Sequence, residues 1–343
     1  MSTWKRSLGI KAGLGATIAA TLALTACGST STSPNTTTGS SLTSCSASVS
    51  DLLAGAGGSG KGGTADPALS GQKLTVTGSS ALQPLFVQAA AEFDHAQNTQ
   101  TVVNAGGSGK GLSDAFSGAS QLGMSDVFAS EKLTADQAAT LTDHQVAAVA
   151  FTLIVNNDLK GKVDNLTTDQ IKQIYTGQVT SWKQLGGPDE PITAVARPTS
   201  SGTRATFKKY VLANADDTAG TPVQQDNTGA VLAAVKATPG SIGYVASGFV
   251  SSNPTDASPI CIGGAKANAT DINAGKYQFW SIEHVYTKGP ATGAAKALLQ
   301  YVLSDDVQKN DVPKLNFYTL KSISASAITA HTVAGAPAPE TLS

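Results

Sequence analysis

The sequence predicts an α/β chain folded as two lobes with a ligand cleft between them. Three observations predict it. From Lys73 onward, short β-branched runs alternate with runs of helical spacing. The part of the chain with a folding composition, about 71 to 325, is long enough for two lobes. Four motifs rich in glycine and hydroxyls fall where a predicted strand gives way to a helix, which is where ligands sit in such sheets.

The elements follow in order. LTVTG (Leu74 to Gly78) reads as a buried strand ending in glycine. Leu82, Leu85, Phe86, Ala89, Ala90 and Phe93 have helical spacing, and Pro84 is acceptable in a first turn. TVVNA (Thr101 to Ala105) is the next strand, Leu112 to Gly118 continue a second helix, and QLGMS leads to Asp126. Val146 to Asn156 is a long apolar strand that crosses between the lobes. Thr167 to Gly177 is a short helix capped by threonine and closed by glycine. ITAVAR runs as a strand into Arg197, and Ser201 opens the following helix. GAVLAAVKA is helical, SIGYVA and HVYTKG (His284 to Gly289) are strands, and Ala294 to Leu303 is a helix. Lobe one is then 72–153 with 247–322, lobe two is 154–246, and the tail 323–343 wraps a surface or frays.

Residues 1–26 read as a lipoprotein signal peptide. Lys5, Arg6 and Lys11 precede an apolar run, Ala12 to Leu24, that is shorter than the roughly 20 residues a bilayer span needs. The run ends in LTAC, similar to the bacterial lipobox, in which cleavage precedes a cysteine that becomes lipid-modified. Cys27 is then a membrane anchor on the outer face of the cell membrane; the alternative is an ordinary signal with a chance cysteine. Residues 27–71 are rich in Ser, Thr, Gly and Ala, with only Asp51, Lys61 and Asp66 charged, and read as a flexible tether with a short helix around Val49 to Ala54. An exported chain permits disulfides, so Cys45 and Cys261 form either one bridge or two free thiols.

The whole chain has 23 basic and 24 acidic residues. Without the three basic residues of the signal it has 20 against 24, a formal charge of −4. No basic run lies outside the signal, which argues against a nucleic-acid partner. A small-anion site needs no overall positive charge, because local N–H groups and one arginine set the field in a cleft.

The four motifs are GSSALQP (Gly78 to Pro84), GGSGKG (Gly106 to Gly111), MSD (Met124 to Asp126) and RPTSSGT (Arg197 to Thr203). Together they offer backbone N–H groups at helix starts, hydroxyls, an arginine fork and one carboxylate. Alone, the first reads as capping by Ser79 or Ser80, and Asp126 as a turn or cap residue. As a set they surround a small oxyanion. A carboxylate repels an anion unless the anion still carries a proton, as phosphate does at neutral pH and sulfate does not. Asp126 would therefore carry specificity more than affinity. GGSGKG is not a nucleotide P-loop, since Asn104 stands where the first glycine belongs and Gly111 where the hydroxyl belongs. The second copy, Gly57 to Gly62, also ends in glycine. Lys110 and Arg204 read as surface charges, Trp182 and Trp280 as packing residues, and Glu283 beside His284 as a core-edge pair. His95, His144, His284 and His331 show no metal-ligand spacing, and no GxSxG elbow occurs.

The motifs in this order, with Asp169 to Gly187 (DQIKQIYTGQVTSWKQLGG) and Pro239 to Val245 (PGSIGYV), resemble the PstS family, the phosphate-binding subunits of bacterial Pst ABC transporters. The resemblance covers about residues 72 to 322. It implies the two-lobed type 2 periplasmic-binding-protein fold. It also implies a receptor, not an enzyme, without metal or cofactor, that binds inorganic phosphate and delivers it to the permease and ATPase subunits of an ABC importer. It carries phosphate binding onto Ser80, Ala81, Leu82, Ser108, Asp126, Arg197, Ser201, Gly202 and Thr203. Two departures stand out. Relatives often have Thr or Ser where Ala81 or Leu82 stands, and an acidic residue where Thr199 stands, so Arg197 is expected to be held less firmly. The rival readings are a receptor for another tetrahedral oxyanion of the sulfate or molybdate class, a phosphatase-like surface enzyme, and a sensory or adhesive lipoprotein.

Overall fold

The computed structural model describes residues 41–342 apart from Ala56, Ser59, Ala219 and Pro222, so the expected signal peptide and the Cys27 anchor lie outside the described residues. The strands among them are β1 Lys73–Gly78, β2 Gln100–Ala105, β3 Leu122–Ser125, β4 Leu141–Val155, β5 Asn165–Leu166, β6 Thr193–Ala196, β7 Val223–Gln224, β8 Ser241–Ala246, β9 Ser258–Ile262, β10 Trp280–Lys288 and β11 Phe317–Tyr318. They lie in the order β2-β1-β3-β10-β4-β8-β6-β7, with β11 and β9 also paired to β4 and β5 paired to β9.

The long strand β4 organises the molecule. Its first part, Leu141 to Ala150, pairs antiparallel with β10, and from Phe151 to Val155 it pairs antiparallel with β8. Every residue from Val146 to Val155 is buried, which explains the unbroken apolar run: both faces of this strand are covered. Strands β1, β2 and β3 run parallel in a register that aligns Gly78 with Ala105 and with Met124. The chain segments leaving these three strands therefore emerge side by side. The helix Gln83–Gln97 buries Leu85, Phe86, Ala89 and Phe93, each larger side chain contributing about 1.5–3 kcal/mol of burial. The helix Ser108–Ser117 packs closer still. A methyl group at Gly111 would sit 2.8 Å from the Gly78 Cα, so glycine at this position serves helix–sheet contact.

The described part of the expected tether does not stand free. Leu42 and Leu52 are buried, and the Leu42 carbonyl accepts from the N–H groups of Asp164 and Asn165 at 2.9 and 2.8 Å. Cys45 is joined to Cys261, with Cα atoms 6.2 Å apart. Farther on, the amides of Ala54, Gly60 and Lys61 donate to the side chains of Asn316, Asp311 and Asp306. A side chain at Gly57 or Gly62 would collide with the backbone at Asn310 or Glu92. Gly57, Gly60 and Gly62 of the second GGSGKG copy thus permit close approach to the rest of the fold. Composition read it as loose because its anchors, two leucines and a cysteine, are few.

The tail is likewise held. A helix spans Ala325–His331, and the His331 ring stacks on Tyr210 and Trp280 at 4.1 and 4.0 Å between centroids. Burial, with the Lys209 charge adding, pushes the His331 imidazole down to about 3. A depressed histidine contributes stability that is present above its unfolded value near 6.5 and lost as pH falls toward 3. Lowering the pH from 7.5 to 4 should therefore strip amide-exchange protection from 325–331 before it strips it from β4. Equal protection at both pH values would contradict a neutral, stacked His331.

Candidate functional site

The anion motifs converge. Ser79 follows β1, Ser108 opens the helix Ser108–Ser117, and Asp126 follows β3. From the other side, Arg197 follows β6 and Ser201 caps the helix Gly202–Tyr210. Asp126 is 3 % exposed and Arg197 1 %. The Asp126 carboxylate accepts from the Ser79 hydroxyl through Oδ1 and from the Thr203 hydroxyl at 2.8 Å through Oδ2. Its backbone N–H donates to Ser108 Oγ at 2.9 Å. Gly202 lies directly against Ser108 and Asp126, where a Cβ would overlap the Ser108 hydroxyl and stand 2.9 Å from the Asp126 Cβ.

Arg197 is held at its backbone and at both Nη atoms. Its backbone N–H donates to the Tyr244 hydroxyl at 3.1 Å, and its carbonyl accepts from Arg204 Nη1 at 2.7 Å. In the guanidinium, Nη2 donates to the Asp226 carbonyl at 2.9 Å and Nη1 to Thr228 Oγ1 at 3.4 Å. Nε is buried and has no hydrogen-bond partner among the described residues. The expectation that Thr199 leaves Arg197 loosely held is therefore corrected. A backbone carbonyl and a threonine distant in sequence do the orienting, which spacing from the arginine could not reveal.

Three further sequence expectations change. In the first motif the hydroxyl at the carboxylate belongs to Ser79. Ser80 Oγ lies 3.0 Å from Thr228 Oγ1 and accepts the Thr228 N–H at 3.2 Å. The amides of Ala81 and Leu82 donate to Ser79 Oγ at 3.0 and 3.1 Å. Arg204 is no surface charge but 3 % exposed. Its Nε and Nη2 form a two-pronged bond to Asp217 at 2.9 and 2.7 Å. The periodicity of one helix could not show that Asp217 returns onto it. His284 is bound to Asp143, 2.9 Å from either carboxylate oxygen, and Glu283 is buried within a strand that starts at Trp280, earlier than expected. Lys110 pairs with Asp114 at the surface, and Trp182 and Trp280 are packing residues.

Lys132 was missed. Its ammonium donates to the carbonyls of Thr199 and Ser201 at 2.8 and 3.4 Å, so it ties the segment after β3 to the RPTSSGT loop. The Gly109 amide makes a parallel tie to the Ser200 carbonyl at 2.9 Å. No local motif marks Lys132, since its partners are backbone atoms.

The electrostatics follow from burial. Desolvation pushes the Asp126 carboxyl up, against the hydroxyls of Ser79 and Thr203 and the charges of Arg197 and Lys132. Desolvation pushes Arg197 and Lys132 down, against the charge of Asp126 and other acidic neighbours. What results is a buried cluster with one acceptor carboxylate, an arginine Nε donor without a partner among the described residues, several rotatable hydroxyls and two helix starts. Such a set matches an oxyanion that carries a proton.

Gly202→Ala tests the packing. An added methyl should cost about 1–3 kcal/mol of folding stability as overpacking, and should weaken anion binding by displacing the Ser108 hydroxyl. Alanine is the better helix former, so unchanged binding with a raised melting temperature would contradict the contact.

Comparison with known proteins places this architecture. A PBP superfamily domain model matches residues 30–306. The chain is 45 % identical over 240 residues to the phosphate-binding protein PstS of Bacillus subtilis, covering 70 % of this chain and 78 % of that one. Among solved structures, a phosphate-bound ABC transporter substrate-binding protein of Clostridium perfringens superposes with a TM-score of 0.64 at 26 % identity, covering 73 % of this chain and all (100 %) of that one. An ABC-type phosphate transport receptor of Vibrio cholerae, at 24 % identity and a TM-score of 0.58, covers 72 % of this chain and 99 % of its own and supports the fold.

Proposed function

The chain belongs to the PstS family of phosphate-binding proteins within the PBP superfamily, and we propose that it is a lipid-anchored receptor on the outer face of the cell membrane. It captures inorganic phosphate and passes it to the permease and ATPase subunits of an ABC importer. The observation that carries the reading is Asp126: a buried carboxylate that accepts from two hydroxyls, beside an arginine whose Nε has no partner among the described residues. Such a carboxylate accepts the proton that phosphate brings, and a fully ionised oxyanion finds no donor for it.

The proposed lobes are 72–153 with 247–322, and 154–246. The exchange of partners by β4 at Phe151 supports a crossing there. On this reading Ser108, Asp126 and the first motif belong to one lobe, and Arg197, Ser201, Gly202 and Thr203 to the other. Phosphate is then gripped from both sides, and closure replaces its hydration by aligned donors. Ser79 joins the set carried over from the family, and Ser80 acts through Thr228. Cys27 supplies the anchor, so Cys27→Ser should release the full chain from membranes.

Calorimetric titration of the phosphate-stripped protein with phosphate and then sulfate at neutral pH tests the reading. Tight phosphate binding that sulfate does not displace is expected. Equal binding of both would remove Asp126 from the site, and binding of neither would sink the assignment.

A further inference from the structure

The pairing of β10 with β3 sets His284 opposite Ser125 and Val285 opposite Met124. Glu283 is the next residue along β10 and Asp126 the next after β3, so both stand at the same end of that pairing, and the Asp126 charge acts on the Glu283 carboxyl. Glu283 is 0 % exposed. Among the described residues the Ser281 hydroxyl donates to its Oε1 at 3.4 Å, and its Oε2 has no hydrogen-bond partner. Both oxygens of Asp126 already accept hydroxyl protons. Two carboxyl groups thus meet inside the protein behind the anion site.

We infer that Glu283 is a positioning residue of this site: it remains a neutral acid beside Asp126 and holds the pair at a single negative charge. The inference rests on the phosphate-receptor reading and deepens it.

The physical argument is one of charge. Two neighbouring buried carboxyls do not both ionise, because each loses hydration and repels the other. The proton goes to the partner with fewer stabilising contacts. Asp126 has two hydroxyl donors and the fields of Arg197 and Lys132. Among the described residues Glu283 has one long hydroxyl contact and no cation of its own. The adjacent His284 is committed to Asp143 of β4. From the packed helices, His331 is held neutral by burial, and Lys209 is bound to Glu131. Burial, with the negative Asp126 adding, keeps the Glu283 carboxyl well above the usual range. With Glu283 neutral, Asp126 and Arg197 balance and the site admits an anion. With Glu283 ionised, the site carries an extra negative charge aimed at the ligand.

Infrared spectroscopy of the phosphate-free full chain at pH 8 tests this without relying on any ligand. Asp311, raised to about 6 by burial and Glu92, is common to the parent and both variants, so the band is read as the difference between them. The carbonyl band of a buried protonated carboxyl should be present in the parent, lost in Glu283→Gln and retained in Asp126→Asn. Titrating upward until the band disappears should weaken phosphate binding in step, by about tenfold per pH unit, in the parent and not in Glu283→Gln. Lys132, lowered by burial, and Lys209 and Tyr210, both raised, are common to both proteins. A band that survives in Glu283→Gln, no band at all, or binding that ignores the loss of the band would overturn the inference. If neither protein binds phosphate, the receptor reading fails, while the band still reports on Glu283.

Discussion

Asp126→Asn is expected to let sulfate into a site that excluded it. The amide keeps the shape of the side chain but replaces one acceptor oxygen by an NH2 donor. Phosphate then loses the charged acceptor for its proton, at a cost of about 1.5–3 kcal/mol, or roughly 10- to 150-fold in the dissociation constant. Sulfate gains a donor and is relieved of facing a buried carboxylate. A site built on such pairing discriminates by about 10⁴ or more, so the substitution should erase most of the preference from both directions. Competition calorimetry with the two anions measures it. The substitution should also relieve the desolvation that pushes the Asp126 carboxyl up. A group raised in the folded protein contributes stability that is present below its unfolded value and lost as pH rises through the folded one. The parent should therefore lose more stability than Asp126→Asn as pH rises from acid to neutral. A variant that still rejects sulfate would show that the carboxylate is not the selectivity element.

Arg204→Met should be the most damaging single change to stability. It removes one half of a buried two-pronged ion pair and leaves Asp217, 0 % exposed, without its main partner. Breaking such a pair from one side costs about 3–5 kcal/mol. Lys208, 3.7 Å from the same carboxylate, recovers part of this. The substitution also frees the Arg197 carbonyl from its 2.7 Å bond, so anion binding should weaken in whatever fraction still folds. Urea denaturation gives the stability, and the double variant Arg204→Met with Asp217→Leu should regain much of it, because no buried charge is left unpaired. A loss below about 1 kcal/mol, the range of surface pairs, would restore the view of Arg204 as an exposed charge.

The alternation of strands and helices was legible because each element buries one side. Leu85, Phe86, Ala89 and Phe93 mark a helix face, and the run from Val146 marks a strand covered on both. The convergence of Ser108, Asp126, Arg197, Ser201, Gly202 and Thr203 was legible because each sits in a short motif at the start of a helix or the end of a strand. Residues that act through backbone atoms of distant segments were not. Lys132 reaches two carbonyls, Arg204 reaches Asp217 and the Arg197 carbonyl, and the Asp226 carbonyl orients the guanidinium. Glu283 was hidden for another reason. Beside a histidine it reads as a local pair, and only the pairing of β10 with β3 brings it to the same end as Asp126. Ser79 and Ser80 could not be ranked from sequence, since adjacent residues at a strand-to-helix turn point to different sides.

The most direct test of the account is a crystal structure of the phosphate-saturated protein. The anion should lie within hydrogen-bond reach of Asp126, Arg197 Nε, Ser108 and Thr203, with its protonated oxygen on the Asp126 carboxylate. Phosphate bound elsewhere, or held without contact to Asp126 and Arg197, would contradict it.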